Sequence, residues 1–352
     1  TSEREMVAKE KGESRAANLS TDAIYKIEVP ANRYDLLCAE GLCRALQIFY
    51  ERATIPIFKK TNPSSKLQIK VSPEVAEVRP YVVGAVLRNI KFDQDRYNSF
   101  IDLQDKIHSS IGRKRTLVSI GTHDLDTLKP PFLYKAEKPE QINFVPLSKT
   151  QSYSAAQLMD LYFGDSHLKP FLSIVRGKPL FPVIRDSANT VASFPPIINS
   201  EHSKITLATK NVFVEITATD LHKASIALDT VVTMFSEYCG EQFSVEPVEV
   251  LQADGTKQDY PKLSYREEIV SVDYINTLLG TQLTAVEMVK LMHKMGLHTK
   301  MTEDSLLTVT VPPTRHDILH ACDIAEDVGI AFGYDNIEEA LPHTFCISGS
   351  TE

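Results

Sequence analysis

Residues 311–317 have the sequence VPPTRHD and join an apolar, β-branched run to an acidic one. The run at 306–311 predicts a strand that ends where two prolines remove backbone donors. Asp317 is a good N-cap, so we expect a helix from about 318 to 332. Upstream, a strand at 269–272 and a helix at about 285–295, capped by Thr284 and closed by Gly296, extend the pattern. Alternating strands and helices over this length predict a small α+β module of the winged-helix type.

The same pattern occurs near the N-terminus. Residues 29–37 (VPANRYDLL) align with residues 311–319 (VPPTRHDIL) at a constant offset of 282. We therefore expect a short strand at Tyr25–Val29 and a helix that Asp35 caps and that runs to about Tyr50. A reused strand-to-helix joint would explain the match, and so would convergence, because the matching stretch is short.

The middle of the chain differs. Between about 67 and 258, short β-rich runs alternate with helical ones, which predicts a mixed α/β module. Residues 59–66 (KKTNPSSK) are typical of a linker, and Asp254-Gly255 is typical of a hairpin turn. Strands are expected at 81–87, 117–120, 180–184 and 212–216, and helices at 97–110 and 221–239. Together these patterns predict an α+β multidomain chain with boundaries near 66, 260 and 339, and a frayed polar start over residues 1–20.

Composition limits the class of protein. The chain has 352 residues, 43% hydrophobic and 24% charged, with a formal net charge of −8. It contains no run of ~18 apolar residues and no signal-peptide pattern, so neither a membrane span nor secretion is expected. The five cysteines form no CxxC pair, so neither a zinc ribbon nor a disulfide framework is expected. This cysteine pattern fits a protein of a reducing compartment. Because nucleic-acid-binding domains are usually basic, such a contact must come from local patches or from a more basic partner. The sequence starts without Met, so we expect a fragment.

Glu215 interrupts the apolar run at 212–216, and the segment PPIINSEHS at 195–203 precedes it. On a strand, Glu215, Thr217 and Thr219 project to one side. A carboxylate is costly to bury among apolar residues unless something pairs with it. Glu215 therefore lies either on the solvent face of a half-buried strand or at the polar point of a pocket, and the residue pattern favours the solvent face.

Two further motifs are ambiguous. Residues 121–127 (GTHDLDT) place His123, Asp124 and Asp126 together, which would suit a metal or acid–base chemistry, but an Asx-rich turn after a strand is the favoured reading. A free-standing metal-dependent hydrolase built on this motif is the weaker reading. Residues 113–115 (RKR) could contact a phosphate backbone, and a solvated helix end is the commoner explanation.

The acidic cluster consists of four carboxylates behind the VPPTRHD turn: Asp317, Asp323, Glu326 and Asp327. On a helix, positions 323, 326 and 327 share a face, so like charges repel unless a cation compensates. Carboxylate oxygens suit Mg²⁺. A solvated acidic face with Asp317 as the N-cap is the alternative, and the spacing alone favours it.

Many phrases of this sequence, in their order along the chain, resemble the β subunit of archaeal and eukaryotic cytosolic phenylalanyl-tRNA synthetases. They include ANRYDLLCAEGLCRAL (31–46), GTHDLDTLKPPFLY (121–134), KPLFPVIRDS (178–187), PPIINSEHSKI (195–205), FVEITATD (213–220) and PPTRHDILHACDIAEDVGIAFGYDNI (312–337). The resemblance implies four parts: the remainder of the N-terminal domain and a linker (1–66), a B3/B4-like tRNA-editing domain (67–260), a winged-helix-like B5 domain (261–339), and the start of a catalytic-like domain that lacks the active site (340–352).

The resemblance also implies partners and a function. An α subunit would carry the ATP and phenylalanine sites, and two α and two β chains would form a cytoplasmic ligase that charges tRNA(Phe), with no membrane and no DNA involved. This agrees with the absence of Walker A and GxGxxG motifs here. Because an apolar pocket rejects an added hydroxyl by only ~10², tyrosine would be mischarged, and this subunit would hydrolyse Tyr-tRNA(Phe). A structural, tRNA-binding scaffold without editing activity is the alternative.

The resemblance assigns residues to these tasks. Glu215 stands where relatives carry an acidic residue linked to editing, so it would contact the tyrosyl hydroxyl or orient the hydrolytic water. The further candidates for the editing pocket are Asn199, Glu201, Ser203, Thr217 and Thr219. Mg²⁺ would be held by Asp317, Asp323, Glu326 and Asp327 and shared with the α subunit.

Overall fold

The computed structural model of the chain describes residues 2, 21, 23, 25–302 and 305–339. Most of the predicted frayed start and all of the predicted segment 340–352 lie outside the described residues. The α-helices within them are α1 (Ala39–Phe49), α2 (Gln94–Ser109), α3 (Ala155–Leu161), α4 (Lys169–Leu172), α5 (Leu221–Phe235), α6 (Val272–Leu279), α7 (Ala285–Lys294) and α8 (Ala321–Phe332). None of these helices has both the length and the apolarity that crossing a membrane requires.

The strands, in chain order, alternate with these helices. They are β1 (Lys59–Lys60), β2 (Leu67–Val71), β3 (Tyr81–Leu87), β4 (Val118–Asp124), β5 (Phe132–Glu137), β6 (Asn143–Phe144), β7 (Tyr153–Ser154), β8 (Phe181–Arg185), β9 (Val191–Phe194), β10 (Ile198–Asn199), β11 (Val212–Ala218), β12 (Ser244–Leu251), β13 (Lys257–Tyr260), β14 (Arg266–Ser271), β15 (His298–Met301) and β16 (Leu306–Val311).

One large mixed sheet organises residues 59–260. Its order is β10-β9-β8-β5-β2-β12-β3-β11-β4, with β1 and β13 also paired to β12. β3 and β11 are buried on both faces almost throughout, which fits their continuous apolar sequences. Phe132 and Phe213 stack in the core at a ring-centroid distance of 4.3 Å. β4 lies at one end of the sheet and pairs with β11 alone among the described strands.

A smaller lobe follows β5. The β6–β7 hairpin and helices α3 and α4 enclose a second apolar cluster, in which Phe181 and Phe194 stack at 5.4 Å. Ser154 begins α3 with a reciprocal capping box to Gln157. This lobe brings the loop around Tyr162–Leu168 towards β4.

The C-terminal part has its own core. A three-stranded sheet of order β14-β16-β15 packs against α6, α7 and α8 around Val270, Ile275, Met292 and Val309. The predicted helix behind Thr284 is confirmed: Thr284 and Glu287 form a capping box, and Gly296 has a φ of +78°. The Asp254-Gly255 turn between β12 and β13 is also confirmed. An α+β multidomain fold is thus confirmed, whereas the domain boundaries at 66, 260 and 339 stay predictions.

Two local predictions are wrong, and one helix was missed. Tyr25–Val29 is not a strand. Residues 59–66 are not all linker, because β1 pairs with Ser244 and Val245. Helix α6 was not predicted, because its eight residues fall between a strand and a longer helix with a clearer cap.

Both helices of the repeated pattern begin later than predicted. α1 starts at Ala39 rather than after Asp35, and α8 starts at Ala321 rather than after Asp317. Asp35 lies inside a 3₁₀ turn, and the Asp317 carboxylate is bound to the Arg315 side chain, so neither caps its helix. The two helix starts are nevertheless 282 residues apart, the offset of the sequence match.

Candidate functional site

A cavity of about 470 Å³ lies along the open edge of β4. Its walls are α2, the segment 195–199, the lobe residues around Tyr162–Leu168 and β4 itself. Two side chains bind the outward-facing backbone of the edge strand. The Ile120 N–H donates to His108 Nε2 at 2.8 Å, and Asn199 Nδ2 donates to the Thr122 carbonyl at 3.4 Å. These side chains bind one N–H and one carbonyl of the edge where another strand would otherwise pair.

Glu215 reaches this cavity from the neighbouring strand. It pairs with Gly121 in the antiparallel register of β11 and β4, and the residue is 1% exposed. A Cβ at residue 121 would overlap the Glu215 carboxylate, so only glycine leaves room for it. The solvent-face prediction for Glu215 is wrong, because β11 lies between β3 and β4 and is covered on both faces. The alternative, a carboxylate at the polar point of a pocket, agrees with the structure.

The two oxygens of Glu215 have different environments. Ser193 Oγ donates to Oε1 at 2.7 Å, and His123 Nε2 lies 3.8 Å from the same oxygen. His123 Nδ1 is 2.8 Å from Ser203 Oγ, so a chain of buried polar groups stands behind the carboxylate. Among the described residues Oε2 has no hydrogen-bond partner. An unpaired buried carboxylate oxygen is costly, and a ligand that donates a hydrogen bond would remove that cost.

Asn199 lines the cavity, and two of the other candidates lie nearby but outside it. Glu201 Oε2 accepts from the Ser148 backbone N–H at 2.8 Å, and its other oxygen pairs with Lys204. Ser203 is fully buried behind the cavity, where it contacts His123.

Thr217 and Thr219 also lie outside the cavity lining. Thr217 is on the same side of β11 as Glu215, but its hydroxyl accepts from Arg79 Nε at 3.0 Å and its carbonyl accepts from Arg79 Nη2 at 2.8 Å. Thr219 follows the end of β11 and is exposed. Strand alternation alone could not separate Glu215 from these two threonines, because their environments depend on distant residues.

His108 lines the cavity and was not predicted. Burial lowers the pKa of His108 to about 4, so the ring is neutral at pH 7. Since Nε2 accepts from the Ile120 amide, the ring proton is on Nδ1. Nδ1 has no hydrogen-bond partner among the described residues, and Asp105 Oδ1 is 3.9 Å away. The i,i+3 spacing of Asp105 and His108 in the predicted helix was the available signal.

Two further cavity residues are polar. Arg115 Nη1 donates to the Ile197 carbonyl at 3.1 Å, and the guanidinium lies 4.3 Å from the centroid of the Phe171 ring. Arg113 and Lys114 of the same RKR motif are exposed. Tyr162 has a buried hydroxyl without a partner among the described residues, and burial raises its pKa to about 12.

The motif at 121–127 forms a turn. Asp124 begins a 3₁₀ turn (Leu125–Thr127), and its carboxylate accepts from Thr209 Oγ1 at 2.7 Å. Asp126 accepts from Asn211 Nδ2 at 2.9 Å. The Asp126 N–H donates to Asp124 Oδ1 at 3.1 Å, which confirms the Asx-rich turn. In the part of the chain that the structure describes, no three His, Cys, Asp or Glu side chains are grouped to hold a metal ion.

Three carboxylates of the acidic cluster are bound by the Arg315 side chain or by backbone amides. Arg315 is 4% exposed and donates to Asp317 through Nε and Nη2, at 2.9 and 2.7 Å, and to Asp327 through Nη2 at 2.7 Å. Burial opposes the charge of Arg315, yet the hydrogen bonds and charges of the two aspartates raise its pKa. Asp323 accepts from the Leu319 and His320 amides.

This arrangement does not fit one divalent ion. Asp317 and Asp327 neutralise a buried guanidinium, Asp323 is bound to backbone amides, and Glu326 is exposed. Coordination of Mg²⁺ by these four residues stays a prediction.

Comparison with known proteins divides the chain into three matched regions. The sequence matches the models of the Phe-tRNA synthetase beta subunit B1 domain (residues 3–52), the B3/4 domain (78–240) and the tRNA synthetase B5 domain (269–334). The cavity and Glu215 belong to the second of these and the Arg315 cluster to the third. Fold and sequence thus define a subunit of an aminoacyl-tRNA synthetase.

Similar proteins narrow this class. The chain is 52% identical over 350 residues to the human phenylalanine–tRNA ligase beta subunit and 55% identical over 347 residues to that of Caenorhabditis elegans. These matches cover 99% and 98% of this chain and 59% of each relative. A crystal structure of an N-terminal fragment of the phenylalanyl-tRNA synthetase beta subunit from Pyrococcus horikoshii superimposes with a TM-score of 0.79 at 33% identity, covering 86% of this chain and 85% of that one. The chain belongs to the phenylalanyl-tRNA synthetase β-subunit family.

Proposed function

We propose that the cavity beside β4 is an editing site that hydrolyses Tyr-tRNA(Phe). The observation that carries the proposal is Glu215, a carboxylate of the cavity lining whose buried Oε2 has no hydrogen-bond partner among the described residues. In the reaction, water adds to the carbonyl carbon of the ester and the bond to the terminal ribose oxygen breaks. Tyrosine and tRNA(Phe) with a free hydroxyl are released.

Glu215 provides the selectivity in this proposal. The hydroxyl of tyrosine donates to Oε2, while Ser193 keeps Oε1 occupied. Bound phenylalanine would leave Oε2 buried and unpaired, and a site built to bind a hydroxyl rejects the analogue without it strongly. A carboxylate that is 1% exposed and held by Ser193 suits this recognition better than delivery of water to the ester.

The wider function is that of the family. The chain spans 59% of the length of the curated relatives, so the activity of the whole protein is part of the proposal. We infer a β subunit that, with an α subunit carrying the ATP and phenylalanine sites, forms a cytoplasmic ligase of two α and two β chains. The exposed Arg113 and Lys114, next to the cavity-lining Arg115, suit contact with tRNA phosphates.

The test is a deacylation assay on Tyr-tRNA(Phe). Glu215→Ala should lower kcat/KM by at least about tenfold, since a hydrogen bond to a charged group contributes about 1.5–3 kcal/mol. Glu241→Ala, an exposed glutamate outside the cavity, is the matched control and should retain the wild-type rate. A Glu215→Ala rate equal to that of the wild type would exclude the assignment of Glu215. No deacylation by the wild-type chain would favour the scaffold alternative.

A further inference from the structure

We propose that Asp105 and His108 bind the aminoacyl head of the substrate, Asp105 the α-ammonium and His108 the carbonyl oxygen of the ester. This inference rests on the proposed editing function and extends it from the tyrosyl hydroxyl to the part that tyrosine and phenylalanine share. Both residues line the cavity that contains Glu215, and they lie on one face of α2.

The protonation of His108 is determined by its partner. Nε2 accepts the outward N–H of Ile120, so this nitrogen carries no proton in the neutral ring. The residue is 6% exposed, and its ring is neutral at pH 7. Nδ1–H is therefore a fixed donor, and among the described residues it has no acceptor within hydrogen-bond length. A buried donor in a cavity lining is satisfied by an acceptor on the ligand.

Asp105, one turn earlier on α2, supplies a carboxylate acceptor beside the His108 donor. Its Oδ1 lies 3.9 Å from His108 Nδ1, which exceeds the length of a direct hydrogen bond. The side chain is 59% exposed, so it is accessible to a ligand. The neighbouring His108 ring lowers the pKa of the Asp105 carboxyl, with smaller contributions from Arg115 and His167, so the group is an anion at pH 7.

An α-amino ester complements this pair. Its ammonium group can only donate hydrogen bonds and therefore suits an anionic carboxylate. Its carbonyl oxygen can only accept hydrogen bonds and therefore suits the N–H of a neutral ring. The ammonium and carbonyl groups of the ligand are on adjacent carbon atoms, and the two atoms proposed to bind them, Asp105 Oδ1 and His108 Nδ1, are 3.9 Å apart.

Two substitutions of His108 separate its structural and binding roles. His108→Gln can place an acceptor near the position of Nε2 and so keep the bond to the Ile120 amide, but it removes the Nδ1 donor. His108→Asn can place a donor near the position of Nδ1, but it leaves the Ile120 amide unpaired. We expect His108→Gln to keep the wild-type melting temperature and to lose about tenfold in kcat/KM for Tyr-tRNA(Phe). His108→Asn should melt earlier and retain more activity per folded molecule.

A substrate without the ammonium charge tests Asp105. The wild-type chain should hydrolyse N-acetyl-Tyr-tRNA(Phe) at least about tenfold more slowly than Tyr-tRNA(Phe), and Asp105→Asn should reduce this difference by at least about fivefold. The preference for Tyr-tRNA(Phe) over Phe-tRNA(Phe) should not change, since both have the same head. Asp102→Asn, an aspartate one turn away on α2 and outside the cavity, is the control.

The outcomes distinguish this inference from the proposed function. If Glu215→Ala impairs deacylation while Asp105→Asn and His108→Gln behave as the wild type on both substrates, the inference fails and the editing site stands. If the wild-type chain does not hydrolyse Tyr-tRNA(Phe), both fail. A selective loss of discrimination against the acetylated substrate in Asp105→Asn supports the inference, because a purely structural defect would slow both substrates equally.

Discussion

Glu215 extends into the cavity across the backbone of Gly121, its antiparallel partner on the adjacent strand. The absence of a side chain at residue 121 lets a carboxylate from an inner strand reach the open edge of the sheet. Ser193 then occupies one oxygen and leaves the other for a ligand. The selectivity proposed for the cavity therefore depends on a glycine as much as on the glutamate.

Gly121→Ala should displace the Glu215 carboxylate. The new methyl group would overlap the end of a side chain rather than backbone, so we expect the free energy of unfolding to fall by no more than about 2 kcal/mol. Deacylation of Tyr-tRNA(Phe) should fall by at least about tenfold, because the hydroxyl loses its acceptor. Gly164→Ala is the control, since a Cβ there would meet open space. Wild-type deacylation by a folded Gly121→Ala variant would contradict this geometry.

His108 should make stability depend on pH on the acid side. Its pKa is about 4 in the folded chain, lowered mainly by burial, against 6.5 as the reference. The unfolded chain therefore binds more protons between these values, and stability falls as pH decreases from 6.5 to 4. Asp105 opposes the shift, and Arg115 and Arg79 add to it. The cost at pH 4 is about 3 kcal/mol.

Urea unfolding of the wild type and of His108→Gln at several pH values measures this contribution. Other groups titrate in both proteins, so the difference between the two curves isolates residue 108. The wild type should lose stability relative to His108→Gln as pH falls below 6.5. Parallel curves would mean that His108 is protonated as easily in the folded chain as in the unfolded one.

Asp229 should make stability fall as pH rises, the opposite of the effect of His108. It lies on α5, accepts a hydrogen bond from the Leu263 amide, and is 5% exposed. Burial raises its pKa from 3.8 to about 7, so the folded chain keeps a proton that the unfolded chain releases. Stability from this group is present below pH 3.8 and is lost as pH rises to 7, by about 4 kcal/mol.

Asp229→Asn keeps an oxygen acceptor for the Leu263 amide and removes the titration. The variant should gain stability relative to the wild type as pH rises from 4 to 7, measured by urea unfolding. Asp254→Asn, at an exposed hairpin turn, is the control. An Asp229→Asn curve parallel to that of the wild type would show that the carboxyl is already ionised in the folded chain at low pH.

Arg315 should be essential for the stability of the C-terminal core. Arg315→Met would leave the buried carboxylate of Asp327 and the half-buried one of Asp317 without the guanidinium that neutralises them. Loss of one partner of a buried ion pair costs about 3–5 kcal/mol, whereas Arg96→Met, which breaks an exposed pair with Asp93, should cost under about 1 kcal/mol. Calorimetry would measure both. A clear rise of the wild-type melting temperature with millimolar Mg²⁺ would show instead that a metal binds these carboxylates.

Regular elements were predictable where local sequence determines them. β3 and β16 follow from apolar β-branched runs, and α7 follows from its Thr284 cap and the Gly296 stop. The starts of α1 and α8 were not predictable from the capping preference of aspartate, since Asp317 binds a side chain instead. Local propensity is overridden where tertiary contacts recruit the same group.

The candidate site was predicted only in part, again because tertiary contacts determine much of it. Glu215 and Asn199 stand in recognisable phrases, but the burial of Glu215 depends on its strand lying between two others. Thr217 alternates correctly yet is held by Arg79, a residue 138 positions away. His108 becomes part of the site only because β4 is an edge whose Ile120 amide needs an acceptor. None of these pairings is visible from the spacing of residues along the chain.

The ratio of kcat/KM for Tyr-tRNA(Phe) to kcat/KM for Phe-tRNA(Phe) tests the central claim most directly. The wild-type chain should prefer the tyrosyl substrate by at least about 10³, because a hydroxyl-binding site rejects analogues that leave its polar groups unpaired. Glu215→Leu, which removes the acceptor and keeps the volume, should reduce that ratio towards one. A wild-type ratio near one, or a ratio that Glu215→Leu leaves unchanged, would contradict the role of Glu215 in recognising the hydroxyl.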